Sequence, residues 1–258
     1  MDLAPRLGHP STGVIVTGGA SGLGRASAEA LAAVGRPIAI WDLDADRCRK
    51  VADELRGQYG GVAFGCAVDV RNPARIEAAA AETRRALPSI GGFVHAAGIV
   101  DTDSLDGLTP ESFDAGIEIH LRPVALLAQQ LLPDLAANPG SAIVAFASIN
   151  ATLGNATNPI YSAAKGGVLS LVRSLADRLA RDGIRINAIS PGQIRTPMMQ
   201  SALDHLGDAA FTRRILLARI GEPAEIGRVV RFLLSDEASY ITAGEFVVDG
   251  GNISSQRM

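Results

Sequence analysis

Short apolar segments alternate along the chain with longer segments rich in Ala, Leu and Arg. The short segments are predicted strands at 13–17, 37–41, 61–68, 91–96, 141–148, 184–190 and 245–248. Most of them show no polar alternation, which is typical of strands covered on both faces, and the helical segments between them indicate parallel crossovers. The pattern therefore predicts an α/β fold, a doubly wound parallel sheet of about seven strands with helices on both faces.

Composition favours one folded domain. Of the 258 residues, 47% are hydrophobic and 20% are charged, and the formal net charge is -3, as in globular proteins. No linker or internal repeat divides the chain, so we expect a single domain over 1–258. The charge gives no bulk attraction to nucleic acid or to an anionic membrane, and no apolar run approaches the roughly 20 residues that span a bilayer. We expect neither as a partner.

The N-terminal segment 1–12 lacks the apolar stretch of a secretory signal, which favours a cytoplasmic location. The two cysteines, Cys48 and Cys66, lack CxxC spacing, and the four histidines are scattered along the chain. We therefore predict neither a disulfide nor a metal site.

A glycine-rich turn, TGGASGLG from Thr17 to Gly24, follows the first predicted strand and opens a helical segment. Glycines permit a positive φ and a close approach of the backbone to a pyrophosphate, and a helix N-terminus offers free N–H groups. A tight turn without a ligand is the alternative. Asp42 weakens that alternative, because it follows Gly22 by 20 residues at the end of the second strand, where a carboxylate can bind a ribose 2′-OH. The sequence thus predicts a dinucleotide site.

The same carboxylate predicts which dinucleotide is preferred. The charge of Asp42 would repel the 2′-phosphate of NADP, and Ser21 places no positive charge in the turn, so NAD is favoured. Arg25 and Arg47 keep NADP open as the less favoured alternative. Asp69, at the end of the third predicted strand, either binds the adenine or caps the helix that follows, and the sequence leaves both interpretations open.

Tyr161 and Lys165 are four residues apart in a predicted helix over 161–181, so both lie on one face. A nearby ammonium favours the phenolate and is expected to lower the phenol pKa from about 10, which would let Tyr161 exchange a proton with a carbonyl or an alcohol. A surface pair is the alternative, but Lys165 is one of only two lysines among 24 Lys and Arg residues. Ser148, at the end of the fifth predicted strand, is expected to hold the substrate oxygen.

These motifs appear in order together with Asn187-Ala-Ile-Ser-Pro-Gly192 and Asp249-Gly250-Gly251. From about residue 13 to 251 the chain resembles the short-chain dehydrogenase/reductase family. The resemblance implies a single NAD(P)-binding Rossmann-type domain of core length. It also implies hydride transfer between NAD(H) and a carbonyl or secondary alcohol, with Tyr161 as the general acid or base. A homo-oligomer, a tetramer or a dimer, is expected through helices 111–135 and 161–181 and the C-terminal strand.

The resemblance also implies the cofactor-binding set. Pro191 and Gly192 are expected to bound the nicotinamide pocket, Ile194 to contribute backbone contacts and Thr196 to bind the carboxamide. The other predicted cofactor residues are Gly18, Ser21, Gly22, Leu23, Gly24, Asp42, Asp69, Val70, Ala97, Gly98, Tyr161 and Lys165.

Two segments depart from the family pattern. His95-Ala-Ala-Gly98 stands where the family has Asn-Asn-Ala-Gly, and His120 stands where an Asn supports the catalytic lysine. We include His120 among the catalytic residues because a neutral imidazole both donates and accepts, although it is equally consistent with an ordinary core histidine. These departures motivate a non-enzyme alternative, a catalytically decayed NAD-binding scaffold or redox sensor.

The segment 193–221 interrupts the strand–helix alternation and is predicted to cover the substrate, with an ordinary surface helix as the alternative. Its apolar side chains are Met198, Met199, Leu206, Phe211 and Leu216. The polar and apolar pocket candidates elsewhere are Asn150, Thr152, Leu153, Asn155 and Gln193.

Overall fold

The computed structural model describes residues 4–254, and within them seven parallel strands form one sheet. The strands are β1 Gly13–Thr17, β2 Ile38–Asp42, β3 Ala63–Ala67, β4 Ile90–His95, β5 Ala142–Phe146, β6 Arg185–Pro191 and β7 Glu245–Val248. Their order across the sheet is β3-β2-β1-β4-β5-β6-β7. The predicted doubly wound parallel sheet is therefore confirmed.

The strands are connected mainly by helices. These are α1 Gly22–Ala32, α2 Ala45–Tyr59, α3 Pro73–Ala86, α4 Pro110–His120, α5 Arg122–Ala137, α6 Asn150–Leu153, α7 Pro159–Ala180, α8 Pro197–Leu206, α9 Asp208–Thr212 and α10 Pro223–Leu233, with a 3-10 turn at Asp236–Ala238. Several begin at a proline, which suits a first turn because its missing N–H has no partner there.

Side chains that alternate along the strands build two cores, one on each face of the sheet. In β2, Ala39 and Trp41 join the core beneath α3, α5 and α7. Ile38 and Ile40 join the core beneath α1, α2 and α10. Because both faces are covered, β1, β4 and β5 are buried along their whole lengths, which explains their continuous apolar runs.

The apolar pattern predicted one helix over 111–135, and this prediction is wrong. Helix α4 ends at His120, and α5 begins at Arg122. Pro123 lies in the first turn of α5 and has no N–H with which to continue the hydrogen bonds of α4. The break therefore places His120 at the last position of α4.

Two strands are also shorter than predicted. The segment predicted over 61–68 is a strand only at Ala63–Ala67, and the one predicted over 141–148 only at Ala142–Phe146. Ser148 consequently lies two residues beyond β5, in the loop at the carboxyl edge of the sheet.

Within residues 4–254, no helix combines the length and apolar character needed to cross a membrane. Over the same residues, no three His, Cys, Asp or Glu side chains are grouped as metal ligands, and both cysteines are free. The prediction for segment 1–12 falls partly outside this range. That the whole chain is one domain stays a prediction.

Candidate active site

A cavity of about 460 Å³ opens at the carboxyl ends of the strands, where the strand order reverses between β1 and β4. Ligands of open α/β sheets bind at this kind of crevice. Its lining includes the whole predicted cofactor set, Gly18, Ser21, Gly22, Leu23, Gly24, Asp42, Asp69, Val70, Ala97, Gly98, Tyr161, Lys165, Pro191, Gly192, Ile194 and Thr196, together with Ser148 and His120. The structure thus brings together residues spread over most of the chain.

The glycine-rich turn has the shape of a phosphate cradle. Gly18 has φ +63, and a Cβ there would lie 2.8 Å from the backbone of Ala97. Gly24 packs tightly, since a Cβ would lie 2.1 Å from the carbonyl oxygen of Gly18. Gly22, with φ +51, begins α1 and has no neighbouring atom nearer than 3.7 Å to its Cβ position. The open space beside Gly22 therefore lies next to the free N–H groups in the first turn of α1, which is the arrangement that binds a pyrophosphate.

Asp42 lies at the end of β2, beside this turn. Its Oδ2 accepts a hydrogen bond from the N–H of Ala20 at 3.1 Å, and its Oδ1 accepts one from Leu43 at 2.8 Å. These backbone bonds fix the carboxylate against the cavity. Arg25 and Arg47, which kept NADP open, are both partnered with carboxylates, Arg25 with Glu29 and Glu54 at 2.8 and 2.9 Å and Arg47 with Asp44 at 3.9 Å.

Asp69 lines the cavity but does not cap the helix that follows it, so that interpretation is wrong. The cap of α3 is Asn72, whose Oδ1 accepts from the N–H groups of Ala74 and Arg75. Asp69 instead pairs with Arg71 at 2.7 Å, and the hydrogen bond from Arg71 lowers the pKa of the Asp69 carboxyl. Binding of the adenine by Asp69 stays a prediction.

Ser148, in the loop after β5, and Tyr161 and Lys165, in the first turns of α7, line the same cavity. The Ser148 hydroxyl lies close enough to the Tyr161 phenol to lower its pKa, and it accepts a hydrogen bond from the N–H of Asn150 at 3.1 Å. Lys165 Nζ lies 5.6 Å from the centre of the Tyr161 ring and donates to the carbonyl oxygen of Phe146 at 2.6 Å. The carbonyl that ends β5 thus orients the ammonium.

Burial controls the titration of this pair. It lowers the pKa of Lys165 to about 7 and raises the pKa of the Tyr161 phenol, with the nearby Ser148 hydroxyl opposing the second shift. The expectation that Lys165 holds the Tyr161 pKa below its ordinary value is therefore wrong for this structure. The ammonium is bound to a carbonyl oxygen, and desolvation of the half-buried phenol dominates.

His120 is buried directly behind Tyr161. The two rings make an edge-to-face contact, with centres 5.2 Å apart and planes at 89°. His120 Nε2 lies 2.8 Å from the carbonyl oxygen of Ile99, which can only accept, and 3.4 Å from the N–H of Ile99. The shorter contact assigns the proton to Nε2, and Nδ1 is buried without a hydrogen-bond partner among residues 4–254. Burial, followed by the charge of Lys165, lowers the pKa of His120 to about 2. The imidazole is therefore neutral; its part in a proton relay stays a prediction.

His95, the other departure from the family pattern, is bound on both ring nitrogens. Its Nε2 donates to the carbonyl oxygen of Ile119 at 3.0 Å, and its Nδ1 accepts from the hydroxyl of Thr17 at 2.9 Å. The same hydroxyl accepts from the N–H groups of Ala96 and Ala97. His95 and Thr17 together thus support the loop after β4.

The predicted insert contributes to the cavity only in part. Met198, Met199 and Phe211 line the cavity, whereas Leu206 and Leu216 do not. Leu216 instead fills the space left by Gly251, where a Cβ would lie 2.7 Å from its Cδ1.

Of the other residues predicted for the substrate pocket, some line the cavity and some do not. Asn150, Asn155 and Gln193 line the cavity, but Thr152 and Leu153 lie outside the lining because α6 is a single turn with only one face toward it. Sequence reasoning missed Ile99, Val100 and Asn158, which also line it. They come from irregular loops without a motif, and only their position beyond β4 and before α7 could have indicated them.

A sequence model of the family described as Enoyl-(Acyl carrier protein) reductase matches residues 18–252. The chain belongs to the short-chain dehydrogenase/reductase family. It is of the family's core length, and membership makes it an oxidoreductase that binds a nicotinamide cofactor.

Two relatives illustrate the similarity in sequence. A probable galactose dehydrogenase of Rhizobium meliloti is 34% identical over 240 residues, covering 93% of this chain and 94% of that protein. A levodione reductase of Leifsonia aquatica is 35% identical over 247 residues and covers 92% of both.

Two solved structures show the same similarity in fold. The crystal structure of levodione reductase has a TM-score of 0.89 and 33% identity, covering 95% of this chain and 99% of that one. L-Sorbose reductase from Gluconobacter frateurii, complexed with NADPH and L-sorbose, has a TM-score of 0.88 and 27% identity, covering 95% and 97%.

Proposed function

We propose that this reductase or dehydrogenase transfers a hydride between NAD(H) and a neutral carbonyl or secondary alcohol, with Tyr161 as the general acid or base. The observation that carries the proposal is the convergence of Ser148, Tyr161 and Lys165 on the cavity that also contains the glycine-rich turn. Reduced nicotinamide, when bound, supplies the hydride. The remaining chemistry is the transfer of one proton and the orientation of one oxygen atom.

The residues divide that work as follows. Ser148, buried and lining the same cavity as Tyr161, would orient the substrate oxygen. As the carbonyl carbon accepts the hydride, Tyr161 would donate its phenol proton to the carbonyl oxygen, which completes a secondary alcohol. Lys165, with Nζ 5.6 Å from the centre of the ring, would supply the nearby positive charge that offsets part of the desolvation of the phenolate that remains. Oxidation of an alcohol runs through the same steps in reverse.

NAD rather than NADP is proposed because Asp42 lies where the adenosine ribose would bind. A fixed carboxylate accepts hydrogen bonds from a 2′-OH and repels a 2′-phosphate. Arg25 is already partnered with Glu29 and Glu54, so its charge is engaged, whereas the exposed pair of Arg47 with Asp44 at 3.9 Å is weaker. The similar L-sorbose reductase was solved in complex with NADPH. Both cofactors therefore need to be compared for the present chain.

The small number of charged side chains in the cavity lining indicates which class of substrate it binds. On the side of the cavity around Ser148 and Tyr161, the described lining side chains are amides and apolar groups, and Lys165 is the only charged one. The polar members are Asn150, Asn155, Asn158 and Gln193, and the apolar ones include Met198, Met199 and Phe211. A neutral molecule with several oxygen atoms fits this lining. Lys165 is buried and bound to the carbonyl oxygen of Phe146, so a charged group would lose water without gaining a free partner. Segment 193–221 is proposed to cover it.

The test is a panel of neutral and charged substrates, followed by cofactor absorbance. Galactose, L-sorbose and a cyclic dione serve as neutral probes, with galacturonate and galactosamine as charged counterparts of the first. We expect turnover of at least one neutral probe and a tenfold or greater preference for it over a charged counterpart. Tight NADH binding without turnover across a broad panel of ketones and alcohols would instead favour the decayed scaffold or redox sensor.

Cofactor preference is measured in the same assay with NADH and NADPH. We expect a higher kcat/KM with NADH, and we expect Asp42→Ser to reduce that preference by at least about tenfold, since one charge contact is worth about 1.4 kcal/mol or more at close range. Equal use of both cofactors by the wild type would contradict the assignment.

A cytoplasmic location and a homo-oligomeric state complete the proposal.

A further inference from the structure

The helix that contains Tyr161 is capped by a residue from another part of the chain. Tyr161 is the third residue of α7, and its backbone N–H is one of the groups that a helix cannot satisfy internally. Asp101, 60 positions earlier in the loop after β4, accepts that N–H through Oδ1 at 3.0 Å. A carboxylate also suits the positive end of the helix dipole.

The local residue does not provide this cap. Asn158 precedes α7, but its side chain makes no capping hydrogen bond. Its Nδ2 instead donates to the backbone carbonyl oxygen of Asp101. The N–H of Ser104 donates to the carbonyl oxygen of Thr157 at 3.3 Å. Three hydrogen bonds therefore join this loop to the start of α7.

The same loop also fixes the ring of Tyr161 through His120. The Nε2–H group of His120 donates to Ile99, two residues before Asp101, and the imidazole contacts the tyrosine ring edge to face. The backbone of Tyr161 is thus held by Asp101 and its ring by His120, and both contacts depend on one short stretch of loop.

We propose that Asp101 is a positioning residue that sets the place of the Tyr161 phenol relative to Ser148. The inference rests on the proposed function for its kinetic consequence, but its structural part does not. Displacement of a reacting group by about 1 Å can cost about 100-fold in rate. Loss of the Asp101 contact therefore lowers kcat more than it changes cofactor binding.

The kinetic test compares three variants. We expect Asp101→Ala to lower kcat by about tenfold to 100-fold, with the Kd for NADH within about twofold of wild type. Asp101→Asn keeps an acceptor oxygen and restores most of kcat. Asp106→Ala is the matched control, because Asp106 lies exposed in the same loop and its side chain makes no hydrogen bond within residues 4–254. If Asp101→Ala does not fold, Asp101→Glu, which displaces the carboxylate by one methylene, is expected to lower kcat similarly.

A second readout needs no turnover. The chain has three tyrosines, so labelling the tyrosine rings with carbon-13 gives few resonances, and Tyr161→Phe identifies the one of interest. We expect Asp101→Ala to shift the Tyr161 resonance, Asp101→Asn to return it toward wild type, and Asp106→Ala to leave it in place.

Unchanged kcat and an unchanged Tyr161 resonance in Asp101→Ala would overturn the inference. So would an equal loss in Asp101→Ala and Asp106→Ala, which would indicate a general effect of the loop. A wild type without turnover would contradict the proposed function alone, and the resonance would still decide whether Asp101 positions Tyr161.

Discussion

His120 and His95 are buried imidazoles that resist protonation in the folded chain. Burial, with the charge of Lys165, lowers their pKa values to about 2 and about 3, against about 6.5 when unfolded. Below pH 6.5 the unfolded chain therefore binds protons that the folded chain does not. The free energy of unfolding falls as the pH falls, and this contribution is fully present only above pH 6.5.

We expect His120→Asn to reduce that pH dependence by about one proton. Between pH 7.5 and 5, wild type loses about 2 kcal/mol through His120, and the variant does not. Urea unfolding of both proteins at the two pH values measures the difference, in which the shared carboxylate contributions cancel. An identical pH dependence in the two proteins would show that His120 protonates in the folded state.

For individual residues, residue type and spacing predicted which side chains line the cavity but not the pKa shifts and contacts of those side chains. Tyr161, Lys165 and Ser148 were identified because their spacing puts them at one strand end and on one helix face. The predicted direction of the Tyr161 pKa shift was wrong, because desolvation depends on neighbouring residues that sequence spacing does not reveal. Asp101 was missed for the same reason, since its partner lies 60 positions away in sequence.

Among the elements, the contact between α1 and α10 is set by a missing side chain. A Cβ on Gly227 of α10 would lie 2.3 Å from the carbonyl oxygen of Ala26 in α1. The two helices therefore approach closely, and α1 is the helix whose first turn forms the cofactor cradle. By contrast, Gly57 of α2 is exposed, with no atom within 4 Å of its Cβ position.

We expect Gly227→Ala to destabilise the fold by about 1–3 kcal/mol, because the added methyl forces the helices apart. Gly57→Ala, the matched control, is expected to stabilise it by about 0.5–1 kcal/mol through helix propensity. Denaturant unfolding of the two variants measures both values. Equal effects of the two substitutions would show that the contact between α1 and α10 relaxes without cost.

Element types were more predictable than element ends. Strands appear as short apolar runs, which are continuous in the buried β1, β4 and β5, and this made the seven strands within residues 4–254 recognisable. The break between α4 and α5 was not recognised, because the apolar face continues through Leu121 and only Pro123 marks the interruption. The break places His120, whose ring contacts Tyr161, at the last position of α4.

For the whole molecule, the edge of the sheet at β7 is the surface most relevant to assembly. Val247 on this strand is partly exposed, and Tyr240 just before it is fully exposed. Apolar side chains on an edge strand favour contact with another chain. This surface includes the C-terminal strand that the family resemblance implied for oligomerisation.

We expect a mass two or four times that of the chain by size-exclusion chromatography with light scattering. Val247→Lys should shift the population toward smaller species, because it places a charge on the edge strand. A monomeric wild type at micromolar concentration would contradict the homo-oligomer.

The central claim is that Tyr161 transfers the proton, and Tyr161→Phe tests it most directly. The exchange removes only the hydroxyl, and Tyr240→Phe, at a fully exposed position, is the matched control. We expect Tyr161→Phe to lower kcat by at least about 100-fold, the range of general acid–base catalysis, with NADH still bound at wild-type affinity. The control is expected to turn over normally. Retained turnover in Tyr161→Phe would contradict the assignment.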